Sequence, residues 1–354
     1  MNHKNNWQDD REMSVLATGS FYPGEPISSS DLVKQIDRIF SLEIEKRGLL
    51  IAKKLNINSR HFVRDFLAIK EEPRQGNNNP ELAAQAIKKA LKTAGLKIND
   101  IGYLISHSAT PMHNLPSNAA FVAELLNYHG PYAEFRQACT GFINALIMAA
   151  GLLTKPNSRP VIIVGSETGS TFLNPLKTQK DNGQLVNLMQ MGDGAGAIIL
   201  APKNTSKSCI KNIAHGQCGV GKKSGLIMEN GGSKFPFTAD ILEFTHDFSL
   251  IKKHGLDLIL QSLKALELNG VNSADVDYIL PHQANGIMEL LLKDYFSSSS
   301  KIIVEASNVG NTGSAAIWLG LDSVRKNLKN KEKVLVLGAE ATKYMYGGFL
   351  YEHY

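Results

Sequence analysis

Residues 132–153 read YAEFRQACTGFINALIMAAGLL. After Cys139-Thr140-Gly141 come twelve residues, Phe142 to Leu153, of which only Asn144 is polar. An apolar run of that length with no charged face predicts a helix buried nearly all round. Cys139 then falls at or just before the first turn, where unpaired N–H groups and the positive end of the helix dipole gather. A thiol so placed has its thiolate favoured and is a candidate nucleophile. On this stretch alone a small core thiol serves as well. The rest of the chain decides between the two.

The chain has 354 residues, 43% of them hydrophobic, enough for two domains or one large one. Its start, MNHKNNWQDDREM, carries no apolar stretch of the secretory kind. The longest apolar runs fall short of the roughly 18–20 residues of a membrane-spanning helix, so no membrane span is expected. Three cysteines (Cys139, Cys209, Cys218) form neither a disulfide framework nor a paired metal motif. A reducing, cytoplasmic setting is expected, with no metal and no cofactor. The net charge of +5 is mild, with small clusters at Lys88-Lys89, Lys222-Lys223 and Lys252-Lys253. Most of these are solvated surface; attraction to an acidic partner or a phosphorylated carrier is the functional reading. No interleaving of aromatic and basic residues points to nucleic acid.

In chain order, residues 14–23 predict a strand and turn, and residues 31–55 a helix. Residues 70–79, KEEPRQGNNN, predict a polar loop. Pro80 opens PELAAQAIKKALKTAGL, an amphipathic helix with proline near its first turn and Gly95 at its end. A strand is expected over 101–105, a helix over 116–127, strands over 161–164 and 195–200, and a polar linker over 201–208.

The second half repeats the first. DIGYLISH (Asp100 to His107) matches DVDYILPH (Asp275 to His282) at an offset of 175. Cys139-Thr140-Gly141 matches Asn311-Thr312-Gly313 at 172, and VIIVGSE (Val161 to Glu167) matches VLVLGAE (Val334 to Glu340) at 173. Three matches in one order predict two copies of one α/β unit, divided as 1–203 and 204–354. Strands this uniformly apolar belong to sheets covered on both faces. The expected fold is α/β, a duplicated layered sandwich with a pseudo-twofold axis. That axis brings equivalent loops face to face, so Cys139 meets Asn311. His282 ends the strand Tyr278-Ile-Leu-Pro281, where ligand-facing residues of α/β sheets sit.

With these residues assembled, the chain resembles the beta-ketoacyl-ACP synthase III type enzymes of the thiolase superfamily over most of its length. The resemblance is carried by Ala138-Cys139-Thr140-Gly141-Phe142, Met191-Gly192-Asp193-Gly194-Ala195-Gly196-Ala197, Pro281-His282-Gln283-Ala284-Asn285, Gly310-Asn311-Thr312 and Tyr346-Gly347-Gly348-Phe349. It implies a thiolase-like αβαβα sandwich, a homodimer, and an acyltransferase acting on acyl carrier protein or coenzyme A thioesters. It also implies a site of Cys139, His282 and Asn311. Cys139 would carry the acyl group, splitting a hard transfer into two easier steps. The oxyanion would be held by the Cys139 N–H and an N–H of the Gly347-Gly348 loop. A malonyl-carrier partner would lose carbon dioxide, and its enolate would accept hydrogen bonds from Asn311 and a neutral His282. One preorganised donor is typically worth about 3–4 kcal/mol of barrier. Asn285 orients His282 or caps the next helix. Asp193 is expected to form a turn. His107, the first-copy equivalent of His282, and Glu124 are given structural and solvated readings. Met112-His113-Asn114-Leu115 resemble the family's loop across the dimer, and an ordinary surface loop fits them equally.

The chain departs from the family where a coenzyme A primer is recognised. The acidic-acidic-tryptophan stretch has no counterpart in SLEIEKR (Ser41 to Arg47), and KLNINSR (Lys54 to Arg60) keeps only part of R-T-G-I-x-x-R. The expected activity is a decarboxylating Claisen condensation in secondary metabolism. A finer alternative joins two acyl chains into a cyclohexanedione or resorcinol precursor. Two readings of other classes stand beside it. A cysteine hydrolase also orders Cys, His and Asn at compatible spacing, but its C-G-S-C-W flank is absent and the duplication is not a protease feature. A non-catalytic partner subunit would lose the nucleophile or its helpers, and this chain keeps all three.

Overall fold

The computed structural model describes residues 6–66, 78–236 and 242–354. Most of the polar loop expected at 70–79 lies outside them. The first half runs β1 (Trp7–Asp9), β2 (Met13–Phe21), β3 (Ile27–Ser28), α1 (Ser29–Phe40), α2 (Glu45–Leu55), β4 (Ser59–Arg60), α3 (Asn79–Ala94), β5 (Tyr103–His107), α4 (Asn118–Leu126), β6 (Tyr132–Phe135), α5 (Gly141–Leu152), β7 (Val161–Glu167), α6 (Asn182–Gln190) and β8 (Gly194–Ala201). The second runs β9 (Cys209–Gln217), β10 (Leu226–Ile227), β11 (Thr245–His246), α7 (Phe248–Leu268), β12 (Tyr278–Pro281), α8 (Met288–Leu292), β13 (Lys301–Ile302), α9 (Ala306–Val309), α10 (Ala316–Arg325), β14 (Lys333–Glu340) and β15 (Met345–Glu352).

The main sheet follows the path β13-β12-β14-β15-β9-β2-β8-β7-β5-β6, with β1 on β9. Counted outward from the β2–β9 junction, one side reads β2, β8, β7, β5, β6 and the other β9, β15, β14, β12, β13. Rank for rank, these are the same strands of two copies. β2 and β9 pair through Met13 with Ile210 and Ser14 with Cys209, and Val15 N–H donates to Ser208 O at 2.8 Å.

Alternation along the strands builds the layers. Ile163, Ile198 and Leu200 point to one core, while Ile162, Val164, Ala197 and Ile199 point to another under α3 and α4. In the second half Val334 and Val336 join the first core, and Leu335 and Leu337 face a third under α7 and α8. The shared first core holds α5 and α10, one helix from each half, with Phe142, Ile143, Leu146, Trp318 and Leu321 fully buried. Helix, half-sheet, helix pair, half-sheet, helix is the αβαβα order. Fully burying one such aliphatic or aromatic side chain contributes roughly 1.5–3 kcal/mol.

The helix expected over 31–55 is two helices. Ser41 takes a left-handed φ of 52° and ends α1. The Asp37 carboxylate then accepts from the N–H groups of Ile44 and Glu45 at 3.0 and 3.3 Å and starts α2. For α3 the reading holds: Pro80 lies in its first turn and Gly95 closes it at φ 67°.

Candidate active site

Cys139 lies in the turn ahead of α5, half-buried, with Thr140 at the helix N-cap. The Thr140 side chain caps nothing in its own helix. Instead Glu340, the last residue of β14, accepts from Thr140 N–H at 2.9 Å and Thr140 Oγ1 at 2.7 Å. A carboxylate at this end of a helix satisfies an orphan donor and opposes the dipole favourably. The arrangement is exchanged. Glu167, the last residue of β7, accepts from Ser314 N–H at 2.9 Å and Ser314 Oγ at 2.8 Å. Each half therefore caps the other half's loop.

The thiol runs against the expectation from its helix end. Burial pushes it well above its ordinary range, and the Glu340 and Glu167 carboxylates push the same way. Only its own N–H pulls against them. The helix terminus still offers its positive end, but the Glu340 carboxyl that caps it acts on the thiol in the opposite direction.

His282 follows β12 and is buried, with its N–H donated to Leu337 O at 2.7 Å. Burial lowers its pKa to about 4, so the imidazole is neutral at pH 7. Its Nδ1 has no hydrogen-bond partner among the described residues. Asn311 is held at three points. Its N–H donates to Gln190 O at 2.8 Å, its C=O accepts from Gly192 N at 3.0 Å, and its Oδ1 accepts from Gly313 N at 3.0 Å. The last bond fixes the amide's orientation and turns Nδ2 the other way.

A ring of bonds gathers the three loops. Ser314 Oγ reaches Gln137 O at 3.4 Å, tying the Asn311 loop to the Cys139 turn. Gln190 Nε2 donates to Ala284 O at 2.7 Å while its carbonyl holds Asn311, tying the Asn311 loop to the His282 loop. His282 hangs on Leu337, three residues before Glu340, which returns to Thr140. KLNINSR lies beside this ring: Asn56 Nδ2 donates to Gly286 O, Asn58 N to Ser307 O and Ser59 Oγ to Asn308 O, at 3.0, 2.7 and 2.7 Å. Glu167, Glu340 and Gln190 escaped the sequence reading. The two glutamates closed the matching strand motifs, and that equivalence was the available signal.

Other candidates fall elsewhere. Gly347 and Gly348 are not a loop but the buried interior of β15, paired with Gly338 and Leu337 of β14. Gly347 N–H donates to Ser262 Oγ at 2.7 Å, so that donor is already spent and the oxyanion role expected of it is not met. Asn285 Oδ1 accepts from Ile287 N at 3.1 Å, which caps the turn into α8 rather than orienting His282. His107 is fully buried, accepts from Trp318 Nε1 at 2.9 Å and is a core histidine, its pKa lowered by burial to about 3. Asp193 is fully buried and accepts from Val63 N at 2.8 Å and Ser170 N at 3.0 Å, as a loop fastener. Glu124 is exposed on α4, and Leu115 is exposed in a surface loop.

Known proteins share the sequence pattern and the fold of this chain. Residues 133–218 match the sequence model described as 3-oxoacyl-[acyl-carrier-protein (ACP)] synthase III, and residues 266–352 match its C-terminal counterpart. The beta-ketoacyl-[acyl-carrier-protein] synthase III of Clostridium perfringens is 31% identical over 273 residues, covering 74% of this chain and 81% of that one. The enzyme of the same name from Hyphomonas neptunium is 28% identical over 351 residues, covering 96% and 97%. Among solved structures, AbyA1, a tetronic acid condensing enzyme, shares the fold at a TM-score of 0.83 with 24% identity, covering 96% of this chain and all of that one. The Aquifex aeolicus 3-oxoacyl-[acyl-carrier-protein] synthase III does so at 0.76 with 23% identity, covering 96% and 100%. The first matched segment carries Cys139 and the second carries His282 and Asn311. This chain belongs to the beta-ketoacyl-[acyl-carrier-protein] synthase III family of condensing, acyl-transferring enzymes.

Proposed function

We propose that Cys139 takes the acyl group from a carrier-protein or coenzyme A thioester, and that His282 and Asn311 stabilise the enolate of a second thioester. The observation that carries this reading is the ring of bonds that draws the three loops together. The resting thiol is protonated, so as the Sγ–C bond forms and the donor's C–S bond breaks, the Cys139 proton passes to the departing carrier or coenzyme A thiolate, which leaves as the free thiol. Decarboxylation of the second thioester then places negative charge on its carbonyl oxygen. A neutral His282 and the Nδ2 amide of Asn311 are donors suited to that charge. The resulting carbanion attacks the acyl carbon and releases Cys139. The Cys139 N–H is a candidate oxyanion donor.

The product belongs to secondary metabolism on this reading. The support is the missing tryptophan stretch and the altered KLNINSR segment. The cyclohexanedione- or resorcinol-forming branch is the finer version. A ring product from two beta-ketoacyl or unsaturated thioesters supports it, and a linear ketoacyl product alone removes it. A homodimer, a cytoplasmic setting and a division at 203/204, in the turn between β8 and β9, complete the proposal. No helix among the described residues is long and apolar enough to cross a membrane.

The test is intact mass after incubation with a panel of acyl-coenzyme A and acyl-carrier thioesters. A mass gain on wild type that Cys139→Ala lacks is expected. Equal labelling of both proteins refutes the assignment.

A further inference from the structure

We propose that Glu340 is a positioning residue for the nucleophile: its carboxylate, delivered from the second half of the chain, holds the Cys139-Thr140 turn at the head of α5. The inference rests on the reading of Cys139 given above and adds a group to that site.

Glu340 is 3% exposed and Glu167 5% exposed. Neither forms a salt bridge among the described residues. Both have their oxygens occupied by hydroxyls and backbone N–H groups: Thr140 and Thr342 for Glu340, Ser314 and Thr110 for Glu167. Burying a carboxylate without a cation is costly, and a neutral side chain could cap a helix without that cost. The chain nevertheless keeps a glutamate at the same register of both copies, β7 and β14. Each reaches across the pseudo-twofold axis to the residues that follow Cys139 or Asn311. A cap serving only helix stability could come from within its own half. A cap supplied from the opposite half ties the nucleophile's turn to the strand beside His282. The charged groups that act on the thiol are Glu340 from β14 and Glu167 from β7, and the His107 ring lies beneath Gly141, two residues further on.

The experiment compares Glu340→Gln and Glu340→Ala with wild type by two readouts. One is the pH profile of Cys139 alkylation by iodoacetamide, followed on the Cys139 peptide by mass. The other is steady-state condensation. Gln keeps the oxygen that accepts from Thr140 and loses the charge. Its alkylation profile is expected to move to lower pH. Ala is expected to lower kcat about tenfold with KM changed less than about threefold, and Gln to restore most of that loss. An alkylation profile for Gln superimposed on wild type overturns the proposal, as does wild-type kcat in Ala. If Ala does not fold, Thr140→Val removes the Oγ1 contact in its place, and unchanged kcat there is equally fatal. Failure of every thioester to acylate wild-type Cys139 would instead defeat the nucleophile reading, since alkylation reports on Glu340 independently.

Discussion

Gly192→Ala tests whether the Asn311 loop is held where the site needs it. A Cβ at Gly192 would stand 2.0 Å from Val309 O, and the nearest side-chain atom, Arg60 Cβ, lies 3.4 Å away. Real Cβ contacts do not fall below 3.0 Å, so the Val309 carbonyl must retreat by about 1 Å. Val309 precedes Asn311 by two residues, and Gly192 N itself binds Asn311 O at 3.0 Å. The retreat therefore displaces the amide proposed to meet the enolate. A misplacement of about 1 Å at a reacting centre can cost on the order of 100-fold. Cys139 stands on a different element, so its acylation should change little. The assay measures the two half-reactions apart, as acyl-enzyme formation by intact mass and condensation by product. Gly151→Ala is the control: among the described residues outside its own helix backbone nothing lies within 4 Å of a Cβ added there, and it sits in α5. Equal loss of both half-reactions, or no loss of condensation in a folded Gly192→Ala protein, refutes the reasoning.

Trp318→Phe removes the indole N–H that His107 Nε2 accepts, and His107 Nδ1 already lacks a partner among the described residues. A buried acceptor left unpaired costs about 1–3 kcal/mol, and the lost ring volume adds to it, so urea denaturation should find a loss of about 2–4 kcal/mol. A loss under about 1 kcal/mol would mean that the bond contributes nothing. Stability should also fall as pH drops from about 6.5 towards 4. Burial holds His107 at about 3 and His246 and His282 at about 4, so the unfolded chain takes up protons that the folded chain refuses. Asp193, raised to about 7 by burial, works the other way, because there the folded chain binds the proton first. Denaturant midpoints across this range check the sign. His246→Gln should flatten the slope by up to about 1.4 kcal/mol per pH unit, and an unchanged slope counts against a neutral His246.

The duplication was legible because strand motifs are local: four apolar residues followed by Gly-x-Glu declare themselves wherever they occur. The helix after Cys139 was legible for the same reason. The break between α1 and α2 was not, because it depends on Asp37 turning back to cap Ile44 and Glu45, and the hydrophobic period runs through it. Gly347 was read as a loop donor. Its environment is set by Ser262, 85 residues earlier in the chain, on a helix whose contact no spacing reveals. The thiol's direction was misread for the same cause. A helix terminus is visible in sequence, but the carboxylates beside it arrive from β7 and β14. Partners separated by 147 and 200 residues leave no local trace.

The crossed glutamates also speak to descent. In a symmetric pair of identical short chains, a strand-end glutamate of each would reach its mate's loop just as Glu167 and Glu340 do here. Joining the two genes would preserve the exchange while letting one loop become a thiol and the other an amide. Neither copy could then drift freely, because a substitution at the end of β7 is felt at the Asn311 loop and one at the end of β14 at Cys139. On that account the two halves could specialise only together.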